Sequence, residues 1–269
     1  MSTRSRVRLA WPLQLPSVVL LALLLVPLGV LLLSSSTTLW TRSLSSAEFA
    51  AALRLSLWTT TLSTALAAAL GTPLAWWLSR THSTKAFVVE LVVELPIIVP
   101  PAVVGVALLT TFGPQAMLGQ WLTRFDVVLP FSTTAVVLAQ VTVATPFFVQ
   151  AAANAFRQVP DDVLDVAMTL GASPSEALWR VALPTALPGL VVGVSLAWAR
   201  ALGEFGATLL FAGNQPGRTQ TLPLAIFSTL EQDVDRAVVF AAALALVGIA
   251  LLLALRLLPR FWPRRRGPP

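Results

Sequence analysis

The sequence predicts an all-α integral membrane protein with six transmembrane helices, and three observations carry that expectation. The 269 residues are 56% hydrophobic and only 11% charged, with a mean hydropathy of +0.80. A soluble domain carries about a quarter charged residues. Six stretches approach the roughly 20 apolar residues that a helix needs to cross a bilayer core of about 30 Å. The basic residues then divide unevenly between alternate loops, as the positive-inside rule requires of a multi-span chain. Without cysteine there are no disulfides, thiolate metal sites or cysteine nucleophiles, and the single His82 leaves no two-histidine metal site. A pI near 11.5 suggests nucleic acid in a soluble chain. Here membrane topology accounts for the basic residues, and no nucleic-acid partner is expected.

The first span is expected at 17–33, behind Arg4, Arg6 and Arg8. Basic residues before an apolar run also imitate a secretory signal, with Ser34 to Ser36 as a cleavage site. Cleavage would leave five spans with termini on opposite sides, so an uncleaved anchor is the preferred reading. The second span is 55–78, with Pro73 inside it, and the third is 95–112. Glu90 and Glu94, at helical i, i+4 spacing before the third span, show no acid or base partner and read as a polar face. The fourth span is 133–153, the fifth 187–211 and the sixth 237–257. Arg4, Arg6, Arg8, Arg80, Lys85, Arg157, Arg180, Arg256, Arg260, Arg264, Arg265 and Arg266 then fall on one side. Arg42, Arg54, Arg124, Arg218 and Arg236 fall on the other, which puts both termini in the cytoplasm. His82 reads as a solvated loop residue between Arg80 and Lys85.

The longest cytoplasmic segment, 156–184, reads as a helical hairpin. Pro160, Asp161 and Asp162 suit a helix start, because proline is tolerated in a first turn and carboxylates complement its positive end. Val163, Val166, Ala167 and Leu170 continue at helical spacing, and Gly171 closes the helix where a left-handed residue is needed. Ser173, Pro174 and Glu176 form a capped second start. A short helix from Pro174 to Val181 is expected, with Leu183 and Pro184 leading into the next span.

That order resembles the "EAA" signature loop of bacterial importer permeases of the ATP-binding cassette class. Asp165, Val166 and Ala167 stand at the Glu-Ala-Ala positions, followed at the family's spacing by Gly171, Ala172, Leu183 and Pro184. Asp keeps the charge of Glu on a shorter arm, and Val is bulkier than Ala. The stretch from Leu55 to Thr61, the run from Glu94 to Gly105 and the run from Ala199 to Thr208, closing with Ala212, Gly213 and Asn214, look like the oxyanion branch of that family. The run from Gly217 to Ile226 most resembles molybdate permeases, and less closely those for sulfate and tungstate. The resemblance implies a type I importer permease fold. In domain terms it implies an N-terminal tail, first helix and outer loop at 1–52, a permease domain at 53–257 with its coupling region at 156–184, and a basic cytoplasmic tail at 258–269. It implies residence in the bacterial inner membrane as a homodimer, with the path along the two-fold axis. Two cytoplasmic ATPase subunits would bind the hairpins, and a soluble or lipid-anchored substrate-binding protein would deliver molybdate, with tungstate, sulfate or thiosulfate as alternatives. ATP and magnesium belong to the ATPase partner, and no cofactor or metal is expected in this chain.

The residues agree that the chain is not itself an enzyme. Its only lysine, Lys85, has no glycine-rich lead-in of a phosphate loop, and no nucleophile with a base appears. Two features suit a pathway or gate. Arg200 and Glu204 are spaced i, i+4 in the fifth span, where charges must be paired or face water. They line the pathway or lock a gate, or else neutralise each other at a helix contact. Pro96, Pro100 and Pro101 break the third span, and freed carbonyls at membrane depth survive only beside protein or water. A packing kink is the plainer alternative. Gly189 with Gly193, and Gly203 with Gly206, permit close helix approach within the chain or across a dimer seam. A rival of another class is a non-transporting membrane scaffold or sensor that recruits a cytoplasmic partner through the same hairpin.

Overall fold

The computed structural model describes the backbone of residues 11–261 and the side chains of 15–255 and 257. Arg4, Arg6, Arg8, Arg264, Arg265 and Arg266 lie outside the described residues, as do the side chains of Arg256 and Arg260. The described residues form helices: α1 (Trp11–Leu33), α2 (Thr37–Leu44), α3 (Ala47–Arg80), α4 (Thr84–Ile98), α5 (Pro101–Phe112), α6 (Met117–Thr123), α7 (Thr133–Arg157), α8 (Asp161–Thr169), α9 (Pro174–Ala177), α10 (Leu183–Leu202), α11 (Gly206–Ala212), α12 (Leu222–Leu230) and α13 (Val234–Phe261). A π-helical turn, Leu178–Ala182, joins α9 to α10 without interruption. Serines open many of the helices. Ser36, Ser46, Ser83, Ser132 and Ser173 each accept a hydrogen bond from an otherwise orphaned first-turn N–H.

Helices α3, α7 and α10 pack against one another to form the centre of the fold. Much of the contact surface is small. Ala144, Ala152 and Ala155 of α7 and Ala186, Ala197 and Ala201 of α10 are buried in one cluster with Phe148 and Phe156. Small side chains let membrane helices approach closely, where dispersion contacts rather than water exclusion drive association. Gly189 and Gly193 serve this packing within the chain. A Cβ on Gly189 would stand 2.5 Å from the Ala155 methyl, and one on Gly193 would stand 3.1 Å from that of Ala151. Gly189→Leu is therefore expected to lower stability by about 1–3 kcal/mol through overpacking, read as a fall in the thermal unfolding midpoint of the detergent-solubilised protein.

Four described helical segments are long and apolar enough to cross a membrane: Leu15–Leu33, Thr133–Arg157, Pro174–Leu202 and Val234–Leu255. A fifth crossing is added if α4 and α5 count as one broken span. The expected second span lies within the 34-residue α3, which is long enough but too polar to pass on composition. Its buried face carries Ser56, Thr59, Thr60, Ser63 and Thr64. Ser63 donates to Gln140 Oε1 at 2.9 Å on α7, and Ser56 Oγ accepts from the Leu222 N–H at 2.6 Å. Hydroxyl-rich seams of this kind join helices where no water is available.

Three expectations need correction. The third span is not one helix over 95–112, because α4 and α5 meet at an angle of 110°. Proline at 100 and 101 denies two backbone donors and fixes the chain in an extended turn at Val99 and Pro100. The fifth span does not run through 187–211 either, since α10 stops at Leu202 and α11 restarts at Gly206. The last helix continues to Phe261, so the expected tail boundary at 258 falls inside it.

Candidate functional site

The hairpin is built by local chemistry. Asp161 and Asp162 occupy the first turn of α8 behind Pro160, favoured there by the helix dipole. At its other end the Gly171 N–H donates to Met168 O at 2.9 Å and the Ala172 N–H to Ala167 O at 3.0 Å. These paired bonds form a Schellman closure, and Gly171 takes φ +93° to make them. Ser173 then opens α9 with a capping box: its hydroxyl accepts the Glu176 N–H at 3.2 Å, and its own N–H donates to Glu176 Oε2 at 3.0 Å. Leu164 packs inward, while Val163, Val166, Met168 and Leu170 are exposed, Leu170 at 83%. An exposed apolar edge on a rigidly closed turn suits recognition by a groove on another protein.

Asp165, Val166, Ala167, Gly171 and Ala172 therefore share the first arm and the turn. Leu183 and Pro184 do not join them there. Leu183 packs against the central helical core, and Pro184 opens α10. The expected separate helix ending at Val181 is absent, because the second arm runs on through the π turn into α10. Pro184 explains that turn: its ring crowds the preceding turn and it lacks an N–H, so the helix widens and the Leu183 N–H reaches back to Leu178 O.

At the far end of α10, Arg200 Nη1 lies 2.8 Å from Glu204 Oε2. Glu204 sits in the break between α10 and α11, only 1% exposed, while the Arg200 side chain is 24% exposed. The other carboxylate oxygen of Glu204 accepts the Ala207 N–H at 2.8 Å, so one side chain neutralises a charge and caps α11. This break touches the other one. A Cβ on Gly206 would lie 3.1 Å from the Ala102 nitrogen, and one on Gly105 would lie 2.8 Å from Ala207 Cα. Gly105 and Gly206 thus let α11 lie against α5 at backbone distance, beside Pro101. Pro100 and Pro101 are brought to this junction, whereas Pro96 remains inside α4. The Cβ position of Gly203 meets its own helix's Ala199 carbonyl at 3.6 Å rather than a neighbouring helix.

The two glutamates of α4 have partners after all. Glu90 pairs with Arg157 at 3.1 Å, and Glu94 accepts from the Gln150 amide at 2.8 Å. His82, Glu90 and Arg157 line an open cleft of about 360 Å³ at this end of α4. Sequence reasoning also missed Arg80, which counted only as a topology residue. Its guanidinium reaches the Asp161 carboxylate, the Phe156 and Val159 carbonyls and the face of Trp76. No local spacing signals a contact made across such a separation in sequence. Among the described residues no group of three His, Cys, Asp or Glu converges to hold a metal ion.

Comparison with known proteins agrees with the all-helical architecture. The chain is 45% identical over 204 residues to the molybdenum transport system permease protein ModB of Mycobacterium tuberculosis, covering 76% of each chain. It is 39% identical over 214 residues to ModB of Azotobacter vinelandii, covering 78% of this chain and 94% of that one. In fold it is similar to a chain of a bacterial alginate ABC transporter solved in complex with an alginate-bound periplasmic protein. That likeness has a TM-score of 0.74 at 17% identity and covers 95% of this chain and 93% of the other. Residues 70–266 match the family described as binding-protein-dependent transport system inner membrane component. With that match and these relatives, the chain belongs to this family, the permease subunits of ATP-binding cassette transporters.

Proposed function

We propose that this permease imports molybdate and that segment 156–184 is its coupling hairpin, docked on a cytoplasmic ATPase subunit that holds ATP and magnesium. The relatives named for molybdenum transport support the substrate. The observation that carries the coupling role is the hairpin itself, a Schellman-closed turn presenting Val166 and Leu170 outward. In this reading α3 is the second crossing and α4–α5 the third, giving six crossings with both termini cytoplasmic. The permease domain begins near residue 53, after an N-terminal tail, first helix and outer loop at 1–52, and runs to the end of α13 at Phe261, ahead of the basic tail. The chain contributes no ATPase site of its own. A second copy completes the path along a two-fold axis, and a soluble or lipid-anchored binding protein delivers the anion to the outer face in the bacterial inner membrane. Exposed Arg124 and Arg218 steer the dianion or pair with acidic patches on that receptor.

The mechanical link runs through α10. From Pro174 to Leu202 the helix is continuous for 29 residues, about 43 Å at 1.5 Å per residue. A displacement of the hairpin on ATPase closure is therefore delivered to the Arg200–Glu204 pair at the other end. Rigid-body movement of this rod against the α5–α11 junction is a hinge-and-shear transition of a kind that opens paths. The pair and the proline break at Pro100 and Pro101 form the gate, with Pro96 one turn before it inside α4. Arg200 is partly exposed and offers the anion a positive charge. A reconstituted complex of permease, ATPase and receptor in proteoliposomes should take up radiolabelled molybdate only with ATP. ATP-independent uptake would overturn the reading, as would selective uptake of sulfate; an assembled complex that moves none of molybdate, tungstate or sulfate would favour the scaffold rival.

A further inference from the structure

The hairpin follows α7 in the chain, yet its strongest polar tie is to α3. Between the end of α7 at Arg157 and the start of α8 at Asp161 the chain reverses through Gln158, Val159 and Pro160. Within that short connection Val159 packs into the core, and the backbone carbonyls of Phe156 and Val159 remain available to a donor from another helix. Arg80, the last residue of α3, spans the connection with one guanidinium. Its Nη2 donates to Phe156 O at 2.8 Å on the near side of the connection and to Val159 O at 3.1 Å within it. Its Nη1 holds the Asp161 carboxylate in the first turn of α8.

The electrostatics favour this position three times over. Carbonyls at the C-terminus of α7 carry the negative end of a helix dipole, Asp161 adds a full charge, and the guanidinium lies over the Trp76 ring at 4.9 Å. Trp76 in turn meets Phe156 edge-on at 5.4 Å, so the arm of the clamp is itself fixed. Only 22% of the Arg80 side chain is exposed, whereas Asp161 is 80% exposed. The carbonyl contacts and the tryptophan therefore hold the arginine more than the surface ion pair does. A planar fork matches two diverging acceptors in a way that a lysine ammonium does not.

We propose that Arg80 is a positioning residue that sets the angle of the hairpin and passes its displacement to α3, so that α3 and α10 move together when the ATPase subunits close. The inference rests on the coupling role assigned to the hairpin. Without the latch, the hairpin swings about residues 158–160, and the ATPase subunits close without moving the whole central bundle.

Two readouts test it in the complete permease. In hydrogen–deuterium exchange of the purified protein, Arg80→Ala should speed exchange of the amides at 159–170 by about tenfold while those of α10 beyond Pro184 stay protected. In proteoliposomes with ATPase and receptor, the same variant should keep ATP hydrolysis within about twofold and lower molybdate moved per ATP by about tenfold, because a loosened element shifts the population of the coupled state. Arg80→Lys, which keeps the charge and loses the fork, should fall between the two. Wild-type exchange or a wild-type transport-to-hydrolysis ratio in Arg80→Ala overturns the proposal. If the alanine variant does not assemble, wild-type behaviour of Arg80→Lys in both readouts overturns it, and intermediate behaviour supports it. If the wild-type complex moves no molybdate while Arg80→Ala still loosens the hairpin, the latch stands and the transport assignment fails.

Discussion

Glu204→Ala is expected to remove most of the folded permease from the membrane. The substitution leaves the partly exposed Arg200 guanidinium without its counter-charge and the Ala207 N–H of α11 without its acceptor. Removing one partner of a buried ion pair costs about 3–5 kcal/mol, and the lower end applies here because the Arg200 side chain is 24% exposed, against a total stability of about 5–15 kcal/mol for a domain. Immunoblots of membrane fractions and thermal unfolding in detergent would register the loss. Arg200→Met combined with Glu204→Gln separates structure from function. The amide still accepts from Ala207 and no charge is left unpaired, so protein levels should return towards wild type. Uptake should stay at least about tenfold down if the charges work in the pathway, since buried ion pairs are weak sources of stability for which a packing role alone is a poor reason. Wild-type uptake by the double variant would reduce the pair to a helix contact.

Gly171→Trp is expected to give the opposite pattern, with protein present and transport lost. The space around the Gly171 Cβ position is open within 4 Å, so a large side chain meets nothing in this chain. The cost is in the backbone and at the proposed docking surface. At φ +93° a side-chain-bearing residue is strained by about 1–2 kcal/mol or more. Relief of that strain opens the Schellman closure and tilts Val166 and Leu170. Uptake should fall by at least about tenfold, the factor that corresponds to 1.4 kcal/mol of lost docking free energy. Gly217→Trp is the matched control, at φ +72° with equally open surroundings. It carries similar strain in the loop between α11 and α12, away from the hairpin, and should leave ATPase binding intact. Equal loss of ATPase binding in both variants would show that the effect is general misfolding rather than docking.

Features governed by neighbouring residues were legible in the sequence. Gly171 closes the helix that Pro160, Asp161 and Asp162 open, Ser173 and Glu176 form their capping box, and the chain breaks at Pro100 and Pro101. Features governed by distant partners were not. Spacing alone left Glu90 without Arg157 and Glu94 without Gln150, and it read Arg80 only as a topology residue although its carbonyl and carboxylate contacts lie beyond the next two spans of the chain. Helix α3 shows the same limit from the other side. Its serines and threonines look like a weak membrane span until Gln140 and Leu222 supply their partners. The end of α10 was misread for a local reason. Gly203 and Glu204 sit in an apolar run with no proline, and only the hydrogen bond from Ala207 to the Glu204 carboxylate reveals a new helix start.

The central claim is that this permease brings molybdate into the cell through a hairpin-coupled path. Its most direct test is the molybdenum, tungsten and sulfur content of cells with and without the gene, measured by mass spectrometry after growth on trace amounts of all three oxyanions. A selective fall in molybdenum, restored by the wild-type gene and not by Gly171→Trp, is the predicted result. Unchanged molybdenum in the deleted cells, or full restoration by the Gly171 variant, would contradict the account.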